Sequence, residues 1–131
     1  MFFRYTILYV DDVAGTMDFF TRAFGIEPGF LHESGQYGEL RTGETKLAFS
    51  ATELMRQLGK NPQPPVVRGP CFEIALETED VAGAVARALA AGAALVQAAE
   101  AQPWGQVTAY VTDPNGYLIE LCSPIQVPNP G

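Results

Sequence analysis

Gly105 to Pro124, GQVTAYVTDPNGYLIELCSP, reads as two β-strands joined by the turn Asp113-Pro114-Asn115-Gly116. Pro114 presets φ for a turn, Asn115 and Gly116 tolerate positive φ, and alternating apolar runs flank them, so the stretch is a β-hairpin. Its second strand carries a carboxylate, Glu120, between Ile119 and Leu121. Strand side chains alternate between faces, so a core that takes Ile119 and Leu121 turns Leu118, Glu120 and Cys122 the other way. Glu120 then faces either water or a concave cavity, and the functional question turns on which.

Outward from the hairpin, the second half of the chain repeats the first. RYTILYVDDVAG at Arg4 to Gly15 lines up with FEIALETEDVAG at Phe72 to Gly83, an offset of 72 − 4 = 68, and Asp-Val-Ala-Gly is identical in both. In the first half, Phe3 to Val10 alternates as a strand with Thr6, Leu8 and Val10 on one face and Tyr5, Ile7 and Tyr9 on the other. Asp11 or Asp12 caps a helix from Val13 to Phe24, whose apolar stripe is Val13, Met17, Phe20 and Phe24 and whose stop is Gly25. Strand-like runs follow at Pro28 to Glu33, Tyr37 to Arg41 and Lys46 to Ser50. The second half gives an Ala-rich helix from Val81 to Ala91 ended by Gly92, then strands at Ala94 to Ala99, Gln106 to Thr112 and Tyr117 to Cys122. Ala51 to Gly59 has helix formers, and the proline-rich stretch to Pro70 suits a linker or flap. The expectation is one α+β domain over 1–131, built of two tandem βαβββ modules. Module one spans 1–59, a linker 60–70, module two 71–124 and a tail 125–131. Units this small bury a sheet face poorly alone, which predicts a pseudo-symmetric pair with curled mixed sheets around a cleft.

Composition narrows the partners. A chain of 131 residues with 47% hydrophobic content holds one real core, and a formal charge of −7 argues against nucleic-acid and anionic membrane surfaces, which need clustered Lys and Arg. No apolar run reaches the ~20 residues of a bilayer span, and MFFRYTILYVDD turns polar too early for a signal peptide, so the expected location is cytoplasmic. Cys71 and Cys122 are expected as buried free thiols. There is no Gly-rich phosphate loop, no Gly-x-Ser-x-Gly nucleophile and no Cys with a neighbouring His.

Together, the tandem modules, the helix starts Asp-Asp-Val and Glu-Asp-Val, and the hairpin YVTDPNGYLIEL resemble the vicinal oxygen chelate superfamily, the glyoxalase, bleomycin-resistance and extradiol-dioxygenase group. The resemblance runs from about Phe3 to Pro124 and implies that metal-using relatives place ligands on the first and last strands of each module. Carried over, the first-strand positions fall on Tyr5 and Glu73, and the last-strand positions on Ala48 and Glu120. Glu73 and Glu120 match the His, Gln or Glu found at such places, whereas Tyr5 and Ala48 depart from them. Two carboxylates and a phenol without imidazole make a poor zinc or iron site, and Ala48 offers no ligand atom. No cofactor is therefore expected; a divalent metal, if present, falls to Glu73 and Glu120.

Each of these residues also has a plainer reading. Glu73 shares a face with Glu77, as on any solvated sheet face, and Glu120 reads equally as a surface carboxylate. His32 sits at a strand end, where a surface or dimer-contact role outweighs a ligand role. Trp104 is either ordinary packing or a flat stacking wall. The sequence points to a homodimer that binds a small organic molecule, aromatic or cationic, with Tyr5, Tyr9, Glu73, Trp104 and Glu120 as contacts. Glu73 and Glu120 are expected to confront each other from opposing modules as like charges, so that cation binding strengthens with pH. The alternative is a metal-dependent glyoxalase, lyase or dioxygenase using Glu73 and Glu120.

Overall fold

Alternation in the first strand and helical spacing after Asp12 produce the elements that begin the computed structural model, which describes residues 1–125. Of the expected tail, residues 126–131 lie outside the described residues. Strand β1 (Tyr5–Val10) leads into helix α1 (Val13–Phe24), strands β2 (Pro28–Leu31), β3 (Tyr37–Leu40) and β4 (Lys46–Ala51), and the short helix α2 (Thr52–Gln57). After 58–73, which carry no helix or strand, come β5 (Ile74–Glu77), α3 (Val81–Ala90), β6 (Ala94–Ala101), β7 (Val107–Thr112) and β8 (Leu118–Cys122). The fold is α+β with two four-stranded mixed sheets, ordered β1-β4-β3-β2 and β5-β8-β7-β6. In each, the first strand runs parallel to the last and the rest pair antiparallel. The chain divides into two compact units, 1–64 and 65–131.

In the first unit, the Asp12 side chain accepts the Gly15 N–H at 2.9 Å to start α1, and Gly25, at φ 71°, ends it by donating to the Thr21 carbonyl. The helix buries Val13, Met17, Phe19, Phe20 and Ala23 against Leu8, Val10, Leu40, Leu47 and Phe49 of the sheet. Phe24 is only half-buried, and Phe19, one position off the expected stripe, takes its place in the core. Phe20 meets Phe49 with centroids 5.2 Å apart and Phe19 edge-on at 5.6 Å. Burial of each ring contributes about 1.5–3 kcal/mol. Gly38 on β3 lets α1 sit this close, because a Cβ there would collide with Met17 Sδ.

In the second unit, Asp80 repeats the cap by accepting the Gly83 N–H at 2.9 Å. Helix α3 buries only Val81 and Ala88, opposite Ala109, Val111, Ile119 and Leu121. The β7–β8 turn closes around Asp113, which is 3% exposed. Its carboxylate accepts from the N–H groups of Asn115 at 3.1 Å and Tyr117 at 2.8 Å and from Asn115 Nδ2 at 2.8 Å. Burial pushes its pKa up while these donors pull it down. Gly116 alone takes positive φ here, 99°, and Val67 Cγ2 lies 3.1 Å from where its Cβ would be. Both cysteines are free, but only Cys122 is buried; Cys71 is exposed because it precedes β5, outside the packed sheet. Among the described residues, no helix is long and apolar enough to cross a membrane.

Candidate functional site

Each sheet has one face against its helix and one open face, and the register decides which side chains share the open one. In the second unit, Ala75 pairs with Glu120, Glu120 with Tyr110 and Tyr110 with Gln97, forming one row across β5, β8, β7 and β6. Directly opposed residues point to the same side of a sheet. Glu77, Cys122 and Thr108 make the next row, and Thr112 and Leu118 the one before. Ile119 and Leu121 are buried on the helix side, so Glu120 does turn away from that core.

Glu73 precedes β5 and is exposed, whereas Glu120 is half-buried. The two side chains interact across neighbouring strands. They do not come from opposing modules: β5 and β8 are neighbours in one sheet, so the pair is assembled inside the second unit. Glu120 is pushed above the ordinary carboxylate range, first by hydrogen-bonding interaction with the Glu73 side chain, then by burial and by the charge of Glu73. The Tyr110 phenol is raised by burial and by both carboxylates, and the Cys122 thiol by burial, Glu120 and Glu77. Both stay neutral near pH 7, which leaves Cys122 a poor nucleophile. The face can donate and accept protons through Glu120 and can attract a positive charge.

In the first unit, β1 places Tyr5, Ile7 and Tyr9 on the open face, opposite Lys46, Ala48 and Ser50 of β4. Tyr5 is exposed; Tyr9 is half-buried beside Lys60, whose Nζ lies 5.5 Å from the ring centroid. Ala48 is fully buried and pairs with Ile7 and Glu39. Tyr37 donates its phenol to Glu39 Oε2 at 2.8 Å. Tyr37, Glu39 and Tyr110 are open-face residues missing from the sequence-based candidates. Their signal is Tyr-Gly-Glu and Thr-Ala-Tyr-Val-Thr alternation, which yields a face only once the strand's neighbours are known.

Trp104 stands apart from these rows, at the β6–β7 turn. It is 59% exposed, and its indole N–H donates to Gln106 Oε1 at 2.7 Å. His32 is exposed at the β2–β3 turn, its Nδ1 bonded with Ser34. The residues at the positions that hold metal in the resembled family do not fit a transition-metal ion. Ala48 has no donor atom, Tyr5 offers only a phenol, and among the described residues no three His, Cys, Asp or Glu side chains cluster for an ion.

Comparison with known proteins agrees with this architecture. Residues 3–121 match the family model described as the Glyoxalase/Bleomycin resistance protein/Dioxygenase superfamily. An uncharacterised protein of Mycobacterium bovis is 33% identical over 128 residues, spanning 93% of this chain and 83% of that one. Among solved structures, a glyoxalase-related enzyme from Fulvimarina pelagi superposes with a TM-score of 0.79 at 23% identity, covering 92% of this chain and 86% of the other. A family enzyme from Burkholderia phytofirmans PsJN gives 0.78 at 20% identity, covering 94% and 98%. At these identities the structural likeness speaks for the fold.

Proposed function

Because the chain belongs to the glyoxalase/bleomycin resistance protein/dioxygenase superfamily, we propose that it binds a small aromatic or heteroaromatic cation without an obligatory metal. The observation that carries this reading is the Glu73–Glu120 pair on a face with no positive charge of its own. Residues 65–131 contain Arg68 and Arg87 against seven acids, Glu73, Glu77, Glu79, Asp80, Glu100, Asp113 and Glu120, for 2 − 7 = −5 of the chain's −7. A bound cation supplies the missing charge and favours ionisation of both carboxyls. The Tyr110 ring beside Glu120 adds cation–π attraction of ~0.5–2 kcal/mol. Trp104, Tyr5 and Tyr9 are further aromatic contacts in this reading. The free cysteines suit a cytoplasmic protein, and the exposed Leu95 and Val96 of edge strand β6 suit a homodimer.

Thermal-shift and calorimetric titration of N-methylisoquinolinium against 1-naphthoate tests the proposal. The cation should stabilise the protein and the acid should not, and Glu73→Gln with Glu120→Gln should remove the effect. Affinity should rise with pH across the range where Glu120 releases its proton, by at most about tenfold per unit for one displaced proton. Stronger stabilisation by the acid, or unaltered cation binding in the double variant, would falsify the reading. Elemental analysis addresses the alternative of a metal-dependent lyase or dioxygenase: one tightly held ion per chain, lost on Glu120→Gln, would establish it instead.

A further inference from the structure

The segment before β5 is fastened to the turn before β8, and both belong to the second unit. The turn is tied within itself: Asp113 N–H donates to the Tyr117 carbonyl at 3.0 Å, Gly116 N–H to the Asp113 carbonyl at 2.9 Å, and Tyr117 N–H to the Asp113 carboxylate at 2.8 Å. Residues 65–72 cover it at two places. Val67 Cγ2 and Pro65 Cγ lie 3.1 and 3.4 Å from where a Cβ on Gly116 would stand, so both side chains rest on the bare glycine. The Phe72 ring meets the Tyr117 ring edge-on, with centroids 6.1 Å apart. Between these contacts the chain reverses at Gly69, whose N–H donates to the Val66 carbonyl at 3.0 Å.

The strand register carries this contact to the carboxyl pair. β5 and β8 run parallel with Ile74 opposite Ile119, an offset of 119 − 74 = 45. The same offset sets Phe72 against Tyr117 and Glu73 against Leu118, although Phe72 and Glu73 precede the strand. Tyr117 is buried two residues before buried Ile119. With Phe72 anchored on that side, alternation turns Glu73 to the other, where Glu120 lies. Glu73 is exposed and outside the ladder, so its direction comes from its neighbours in sequence. We infer that Phe72 is a positioning residue: with Pro65 and Val67 it clasps the β7–β8 turn, and the clasp holds Glu73 toward Glu120 before any ligand arrives. The inference rests on the proposed role of that pair in cation binding. What the clasp adds is preorganisation, because a carboxylate already in place costs no ordering when the cation binds. The upward push on Glu120, whose first cause is the Glu73 side chain, fits a Glu73 that is held rather than free.

The test compares Phe72→Ala, the ring-keeping Phe72→Tyr and Glu73→Gln with the wild-type full chain, by NMR titration of the Glu120 carboxyl and by calorimetry with N-methylisoquinolinium. Phe72→Ala should move the Glu120 titration down toward the ordinary carboxylate value, in the direction that Glu73→Gln moves it. Cation binding should weaken about twofold to tenfold, the cost of ordering one side chain at the moment of binding, and affinity should level off at a lower pH. Phe72→Tyr should behave as wild type in both. Should Phe72→Ala unfold, Val67→Ala alters an exposed side chain and leaves Phe72 in place; it should shift Glu120 the same way by less. A Glu120 titration unchanged in folded Phe72→Ala, or unchanged in Val67→Ala where Phe72→Ala does not fold, overturns the clasp, and so does a Phe72→Tyr variant that loses as much as Phe72→Ala. If N-methylisoquinolinium does not bind the wild-type chain, the cation reading fails by itself, and the Glu120 titration still decides whether Phe72 positions Glu73.

Discussion

On the open face of β8, Glu120 is bordered by Tyr110, by Cys122 two residues on and by the carboxyl of Glu73, none of which carries positive charge. Its folded-state pKa lies above the unfolded value of about 4.5, so folding takes up a proton there. The corresponding stability is fully present below pH 4.5 and is lost as pH rises through the folded-state value. Glu120→Gln removes the titrating group while keeping a donor for Glu73. Denaturant melts from pH 4 to pH 8 should show wild type losing stability relative to Glu120→Gln as pH rises; parallel curves would mean that the pair holds no proton. Glu120 was legible in the sequence because Ile119 and Leu121 fix its face, and Glu73 because the 68-residue repeat pairs it with Tyr5. That the two side chains influence each other was not legible. The influence depends on β5 lying parallel beside β8, a pairing between segments some 45 residues apart that no local pattern encodes.

The identical Asp-Val-Ala-Gly at both helix starts has a physical cause at the scale of the element. Asp12 and Asp80 cap α1 and α3, Val13 and Val81 are buried, and Gly15 and Gly83 leave the space the capping carboxylate occupies. A Cβ at either glycine would collide with its Asp side chain. Gly→Ala in a helix ordinarily gains ~1 kcal/mol and loss of an Asp cap costs ~1 kcal/mol. At Gly83 the two effects oppose each other, so Gly83→Ala alone should change stability little, whereas in an Asp80→Ala background it should stabilise by up to ~1 kcal/mol. A double-mutant cycle by urea denaturation measures this coupling; simple additivity would show that the glycine is there for another reason. Caps and stops of this kind made α1 legible to the residue, Val13–Phe24. Strand ends were less so. The first strand begins at Tyr5 rather than Phe3, and β6 runs on to Ala101, because strand ends are set by the partner: Lys46 N–H bonds to the Arg4 carbonyl, and Ala101 pairs with Val107.

At the scale of the whole molecule, the two units share a topology but not a core. The first packs Phe19, Phe20 and Phe49 with Leu40 and Met17, while helix α3 of the second contributes only Val81 and Ala88. With each buried aromatic contributing about 1.5–3 kcal/mol, the second unit should open more readily. Hydrogen exchange should find the slowest amides in α1 and β4 and faster exchange in α3. The more acidic unit is thus also the looser one, and a cation that binds its open face stabilises the closed form by mass action, ~2.7 kcal/mol at a hundredfold excess over Kd. Saturation with N-methylisoquinolinium should therefore slow exchange in β5, β7 and β8. Glu73→Gln with Glu120→Gln should cancel that slowing. Faster exchange in α1 than in α3 would refute the core asymmetry, and ligand protection indifferent to the Glu73/Glu120 substitutions would place the cation elsewhere than on this face.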